Sequence, residues 1–145
     1  TLPADAGIEY QVTAAETATR QADILCTCTT SPTPVFRGDW LKPGVHINAI
    51  GAYQPTTREI DDETVQRARI FMEIRESVMA EAGDLLIPLR AGIISESEIV
   101  ADLPALTSGA APGRTANDEI TLFKSTGHAL EDLTAAKMAF KLAVT

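Results

Sequence analysis

Three short polar stretches carry the residue types that could meet a nucleotide: Cys28-Thr29-Thr30-Ser31-Pro32, Ala49-Ile50-Gly51-Ala52-Tyr53 and Lys124-Ser125-Thr126-Gly127. Each closes an apolar run. Hydroxyl groups there can bond ribose and amide groups, and glycine lets a backbone approach a ligand closely. Ser, Thr and Gly also serve any strand-to-helix turn, so these compositions alone favour a structural role.

Other constellations point less far. Ser125, His128 and Asp132 have the residue types of a hydrolase triad, but they lie along one turn and helix start, and no G-x-S-x-G elbow is present. Acids at Glu59, Asp61, Asp62 and Glu63 could suggest a metal; they also stand where a helix begins, where negative charge suits the helix dipole, and a solvated N-terminus is the expectation. His46, between Val45 and Ile47, reads as a structural histidine, and His128 as a solvated or capping one. Cys26 and Cys28 are one residue apart and point the same way in a strand. A disulfide across that spacing would be strained, and with two histidines the chain can hardly complete a zinc site. The expectation is two buried, reduced thiols and no metal.

The elements that would position the three stretches follow from periodicity. Strands are expected at about 23–29, 45–50, 69–74 and 119–123, and helices at about 13–21, 61–68 and 75–82. Thr13 and Glu16 form a capping-box pattern before the first helix. Alternating strands and helices imply a parallel sheet, since parallel neighbours need crossover connections. Open parallel sheets bind ligands beyond the carboxyl ends of their strands, where the three polar stretches fall. Between 84 and 117 a second capping-box pattern, Ser95 and Glu98, precedes EIVADL, and TSGAAPGRTAND reads as a polar loop; one helix and a surface excursion are expected. A last helix carries Ala129, Leu133, Ala136, Phe140 and Ala143 at helical spacing.

The 145 residues, 45% hydrophobic and 22% charged, suit one modest domain. A net charge of −8 with scattered basic residues disfavours a nucleic-acid surface. No apolar run approaches the roughly 20 residues of a spanning helix, and no leader-like pattern precedes the first turn. A cytoplasmic setting without membrane or nucleic-acid partners is the expectation. The start TLPADAGIEY lacks an initiator methionine, so the sequence is read as beginning mid-protein.

Two blocks are more specific. W-x-K-P-G-x-H-x-N-A-x-G spans 40–51 and T-x-F-K-S-x-G-x-A-x-E-D spans 121–132. With AEAGDL they resemble the C-terminal part of the ornithine cyclodeaminase and mu-crystallin family over nearly the whole chain. The resemblance implies an α/β fold: an incomplete Rossmann-like parallel sheet with flanking helices at 1–126, then a C-terminal helix at 127–145 returning toward an N-terminal domain outside this chain. It further implies a homodimer, NAD or NADP as cofactor, and hydride transfer to or from an amino-acid carbon through an imine. Members reduce cyclic ketimines, act as alanine dehydrogenases or cyclise ornithine, and mu-crystallin shows that the fold can serve as a ligand and cofactor carrier.

Carried over by position, the resemblance places Thr29, Thr30 and Ser31 along the nucleotide, Asn48, Ile50 and Gly51 beside its nicotinamide-bearing half, and Ser125 against the cofactor. Thr126 and Tyr53 fall beside the substrate. Tyr53 stands where cyclodeaminases carry their catalytic aspartate. A phenol with a pKa of about 10 is a poor neutral-pH base but can donate a hydrogen bond or proton, or simply wall a pocket. The resemblance therefore points to reduction of a cyclic imine, of the pyrroline-2-carboxylate or piperideine-2-carboxylate type, and assigns no catalytic residue. No G-x-G-x-x-G occurs in the chain, so the phosphate cradle and the family's substrate-gripping Lys and Arg would belong to the N-terminal half. The chain by itself is expected to bind dinucleotide poorly and to be inactive.

Overall fold

Short runs of four or five residues, most of them followed by a polar or glycine-containing turn, become five parallel strands in the order β1-β2-β5-β3-β4. The computed structural model describes residue 7 and residues 9–144. The strands are β1 Ile24–Thr27, β2 His46–Ala49, β3 Ala68–Met72, β4 Ile99–Asp102 and β5 Ile120–Lys124; the helices are α1 Ala15–Gln21, α2 Asp62–Arg67, α3 Arg75–Glu81, α4 Gly83–Arg90, α5 Leu103–Thr107 and α6 Ala129–Ala143. β5 arrives last in the sheet and inserts between β2 and β3, so its register is fixed on both sides: Ile47 and Ile70 both lie opposite Leu122.

The core gathers on one face of this sheet. Ile47, Ala49, Ile70, Met72 and Leu122 pack there against Ile60, Val65, Val78, Leu85 and Ile94 from the helices and connections. On the other face, His46 and Asn48 alternate with those core positions and are only half-buried. His46 is structural as expected, its ring nitrogens 2.8 Å from Thr121 Oγ1 and 3.2 Å from Asn48 Oδ1.

Several expectations are corrected. The Thr13/Glu16 box does not form: α1 has Ala14 at its N-cap with no side-chain bond, and Glu16 pairs instead with Arg20 one turn on, at 2.8 Å. The Ser95/Glu98 box does form, but it opens a single 3-10 turn, after which IVAD is strand β4 and not helix. Its burial alternates, with Ile99 and Ala101 inward, because pairing with β3 overrides the local helix signal. Cys26 and Cys28 are unpaired as expected but exposed. Among the described strands β1 is an edge, and Cys26 shares the half-bare face with Asn48, whose Nδ2 lies 3.5 Å from its sulfur.

The acidic cluster divides. Asp61 caps α2 as expected, accepting from the Thr64 amide, and it also receives the Gly38 amide. Glu59 is no part of a solvated face; it is fully buried. The last helix, α6, buries none of its residues.

Candidate functional site

Because β1, β2 and β5 are neighbours and parallel, the three polar stretches emerge side by side at one edge of the sheet. Backbone bonds stitch them together. The Ile50 and Gly51 amides donate to Thr27 O, and the Ser125 amide donates to Ala49 O at 3.1 Å. Thr30, Ser31, Gly51, Ala52, Tyr53, Gln54 and Thr57 line a cleft of about 120 Å³. Tyr53 is about half exposed, and Ile50 lies at the strand end just before the cleft. Thr29 lies beneath, its hydroxyl accepting from the Ser31 amide.

Buried carboxylates hold these tips in place. Glu59 accepts the Thr29 amide at 2.6 Å and the Gly51 amide at 2.7 Å, clamping β1 to β2 just beyond their last residues. Burial, the largest single influence, pushes the Glu59 carboxyl up, yet the bonds from Thr29 and Gly51 outweigh it and hold the group below the ordinary glutamate value. The clamp requires glycine at 51, since a Cβ there would fall 2.2 Å from Thr29 O and 2.6 Å from Glu59 Oε1.

The backbone of Glu59 is fixed in turn. Asp84 Oδ1 accepts the Glu59 and Ile60 amides at 2.7 and 3.2 Å, while its Oδ2 faces Lys124 Nζ at 2.7 Å; both side chains of this ion pair are fully buried. Lys124 is the residue before Ser125. One buried network thus joins the ends of β1, β2 and β5.

A second carboxylate organises the turn after β5. Glu73, the residue following β3, is buried, and its Oε2 accepts Ser125 Oγ–H at 2.9 Å and the Thr126 and Gly127 amides at 3.1 and 3.0 Å. Gly127 has φ +83°, a conformation that suits glycine. His128 closes the turn by capping α6, its Nδ1 accepting from the Leu130 amide. Glu131 of α6 is exposed but stands beside Glu73; partial loss of solvent at that contact first, then the neighbouring carboxylate, holds its own carboxyl above the ordinary value.

The structure therefore brings together Thr29, Thr30, Ser31, Ile50, Gly51, Tyr53, Ser125 and Thr126 at one edge. Asn48 lies one step back, in mid-strand, its side chain tied between His46 and Cys26 on the half-bare face and outside the cleft. Sequence reasoning missed Glu73 and Asp84, and it misread Glu59 as part of a solvated helix start and Lys124 as part of a ligand-facing stretch. The signal available was an acid directly after a buried apolar run, as in IFME, and a lysine inside one, as in ITLFK. The triad reading fails on geometry, because the Ser125 proton goes to Glu73 and His128 Nδ1 is spent on the helix cap.

Hydroxyls, a close-approach glycine and free strand ends fit the ribose and nicotinamide portion of a dinucleotide. The pyrophosphate suits a glycine-rich turn at a helix N-terminus, and no G-x-G-x-x-G occurs in this sequence.

Comparison with known proteins agrees with this geometry. A Thermococcus litoralis Δ(1)-pyrroline-2-carboxylate reductase, solved with NADH and L-proline, superposes with a TM-score of 0.85 at 42% identity over 92% of this chain and 41% of its own. An archaeal alanine dehydrogenase dimer with bound NAD gives 0.84 at 36% identity, covering 95% and 42%. The mouse ketimine reductase mu-crystallin is 41% identical over 82% of this chain and 35% of its own length. The chain thus spans roughly two fifths of the proteins it matches. The pattern of one family runs through residues 4–144, covering all five strands and the three tips they carry, and the chain belongs to that family, described as ornithine cyclodeaminase/mu-crystallin.

Proposed function

We propose that this chain forms the nicotinamide side of an NAD(P)H-dependent reductase of cyclic imine amino acids, of the pyrroline-2-carboxylate or piperideine-2-carboxylate type. The observation that carries the reading is the meeting of three polar strand ends at the carboxyl edge of a parallel sheet, on the scaffold shared with a reductase that holds NADH and proline. In this reading Thr29, Thr30 and Ser31 face the nucleotide, Asn48, Ile50 and Gly51 flank its nicotinamide half, and Ser125 contacts the cofactor. Tyr53 and Thr126 face the substrate.

The reduced nicotinamide, when bound, supplies the hydride that the imine carbon accepts. This chain's own part is to hold and shield. Glu59 and the Asp84–Lys124 pair keep the three tips in register, so the ring and the imine meet a preorganised edge. The Tyr53 phenol, at the cleft, can donate to the imine nitrogen as it gains a proton, or wall the pocket. Tyrosine there, in place of a carboxylate, favours imine reduction over ammonia-expelling cyclisation of ornithine.

The same proposal divides the chain at 126. Residues 1–126 belong to the dinucleotide-binding domain, and residues 127–145 reach toward a dimerisation and substrate domain contributed from outside this chain. Support comes from α6, whose Phe140 and Leu142 are 68% and 79% exposed, and from the dimer formed by the archaeal relative. A cytoplasmic setting goes with it, supported by two unpaired thiols. Among the described residues no helix is long and apolar enough to cross a membrane.

The test is NADH and NADPH oxidation with pyrroline-2-carboxylate, followed by absorbance. It is run on the chain alone and on a chimera in which the chain replaces the matching part of the Thermococcus litoralis reductase. No turnover by the chain and imine-dependent oxidation by the chimera are expected. A folded chimera that binds NADH yet consumes none would point to a cofactor carrier.

A further inference from the structure

Glu73, a carboxylate only 1% exposed at this edge, has no part in the mechanism above. Its position gives it one. A serine hydroxyl has a single proton and two lone pairs. The Ser125 proton is donated to Glu73 Oε2 at 2.9 Å, and one lone pair accepts the Gly127 amide at 3.0 Å. The same Oε2 also takes the Thr126 and Gly127 amides, which fixes the turn and leaves the serine no rotamer with a better acceptor for its proton. Ser125 is 6% exposed, so little water competes for that proton. What remains to the hydroxyl is one free lone pair.

We propose that Glu73 is a positioning residue that makes Ser125 a hydrogen-bond acceptor, so that the serine takes an N–H of the nicotinamide carboxamide and cannot serve its carbonyl. The inference rests on the reading of Ser125 as a nicotinamide contact and deepens it. Its consequence is orientation. A carboxamide has a donor end and an acceptor end, and an edge that presents only an acceptor selects one of the two flips and thereby one placement of the ring against the strand ends.

The probe is reduced nicotinamide mononucleotide, set against its reduced 3-acetylpyridine counterpart, which keeps the carbonyl but has a methyl group in place of the amide NH₂. Both are titrated to millimolar concentration into the isotopically labelled chimera of this chain with the Thermococcus litoralis reductase, so that the part of the site outside this chain is present, and binding is read from NMR shifts of the Ser125, Thr126 and Gly127 amides. The carboxamide compound is expected to bind about fivefold more tightly, the worth of one hydrogen bond. Glu73→Gln should abolish the preference, because a glutamine N–H can donate to Ser125 Oγ and release the serine proton. Ser125→Ala, which leaves Glu73 in place, should abolish it as well and serves if the first variant does not fold. A purely structural Glu73 would not alter discrimination between two ligands that differ in one N–H. Equal affinities in the unaltered chimera overturn the acceptor assignment and leave the nicotinamide reading standing. A preference that survives Glu73→Gln overturns the part given to Glu73. Absence of shifts at the turn with either compound overturns the inference together with the reading beneath it.

Discussion

The carboxyl edge of the sheet and the C-terminal helix are opposites. At the edge, Glu59, Glu73, Asp84 and Lys124 are fully or almost fully buried, each in contact with a partner on another element. Helix α6 is longer than any other helix among the described residues, yet it buries nothing, and its apolar side chains face outward. The contrast teaches that burial in this chain is not simply a matter of hydrophobicity. Charged groups are enclosed where they hold the strand-end loops, because an unpaired strand-end amide is costly and a carboxylate satisfies two or three at once. Apolar groups of α6 stay outside, since none of its residues is buried among the described residues.

Breaking the edge should therefore cost far more than breaking the helix surface. The largest effect is expected for Lys124→Met, which strands the Asp84 charge in the core, at about 3–5 kcal/mol in denaturant unfolding. Adding Asp84→Asn should restore much of that loss, since asparagine keeps the acceptor for the Glu59 and Ile60 amides without the charge. A double variant as unstable as the single would show that the charge is not what matters.

Next comes Glu59→Ala, which orphans the Thr29 amide and leaves the Gly51 amide only its 3.2 Å bond to Thr27 O, at about 2–3 kcal/mol. This residue also sets a pH dependence. An unfolded glutamate titrates at about 4.3 and the folded Glu59 lower, so its stabilisation is complete above that value and is lost as pH falls from there through the folded pKa. Thermal melts of the unaltered chain should lose this contribution on acidification, while Glu59→Gln should lack it at every pH; parallel curves for the two would refute the clamp.

Gly51→Ala should follow at about 1–3 kcal/mol, because its Cβ meets backbone that cannot move without opening β1 from β2. The smallest effect belongs to α6. Phe140→Ser should change unfolding of the chain by no more than about 0.5 kcal/mol, since the ring is exposed. In the chimera with the Thermococcus litoralis reductase the same change should weaken subunit or domain association, measured by light scattering. A large loss in the isolated chain would mean that the helix packs on its own sheet after all.

Much of the fold is legible in residues that act locally. Strands β1, β2, β3 and β5 follow from apolar runs, the cap of α2 from Asp61, and the three tips from Ser, Thr and Gly closing those runs. β4 was not, because four alternating residues behind a capping box suit a helix start equally well until β3 is there to pair with. The thiols were misread for a related reason: whether a strand is central or an edge depends on its neighbours and not on its own composition.

The family blocks and the run periodicity let the sequence by itself determine a parallel α/β chain of the ornithine cyclodeaminase/mu-crystallin family with its candidate contacts at strand ends. The tertiary structure alone decided which side chains fix those contacts. Glu59 reaches Thr29 across 30 positions and Glu73 reaches Ser125 across 52, separations at which no local periodicity survives. Such pairs exist only after the strands are laid side by side, because their bonds span from one strand to the next and the sheet order that joins them departs from chain order.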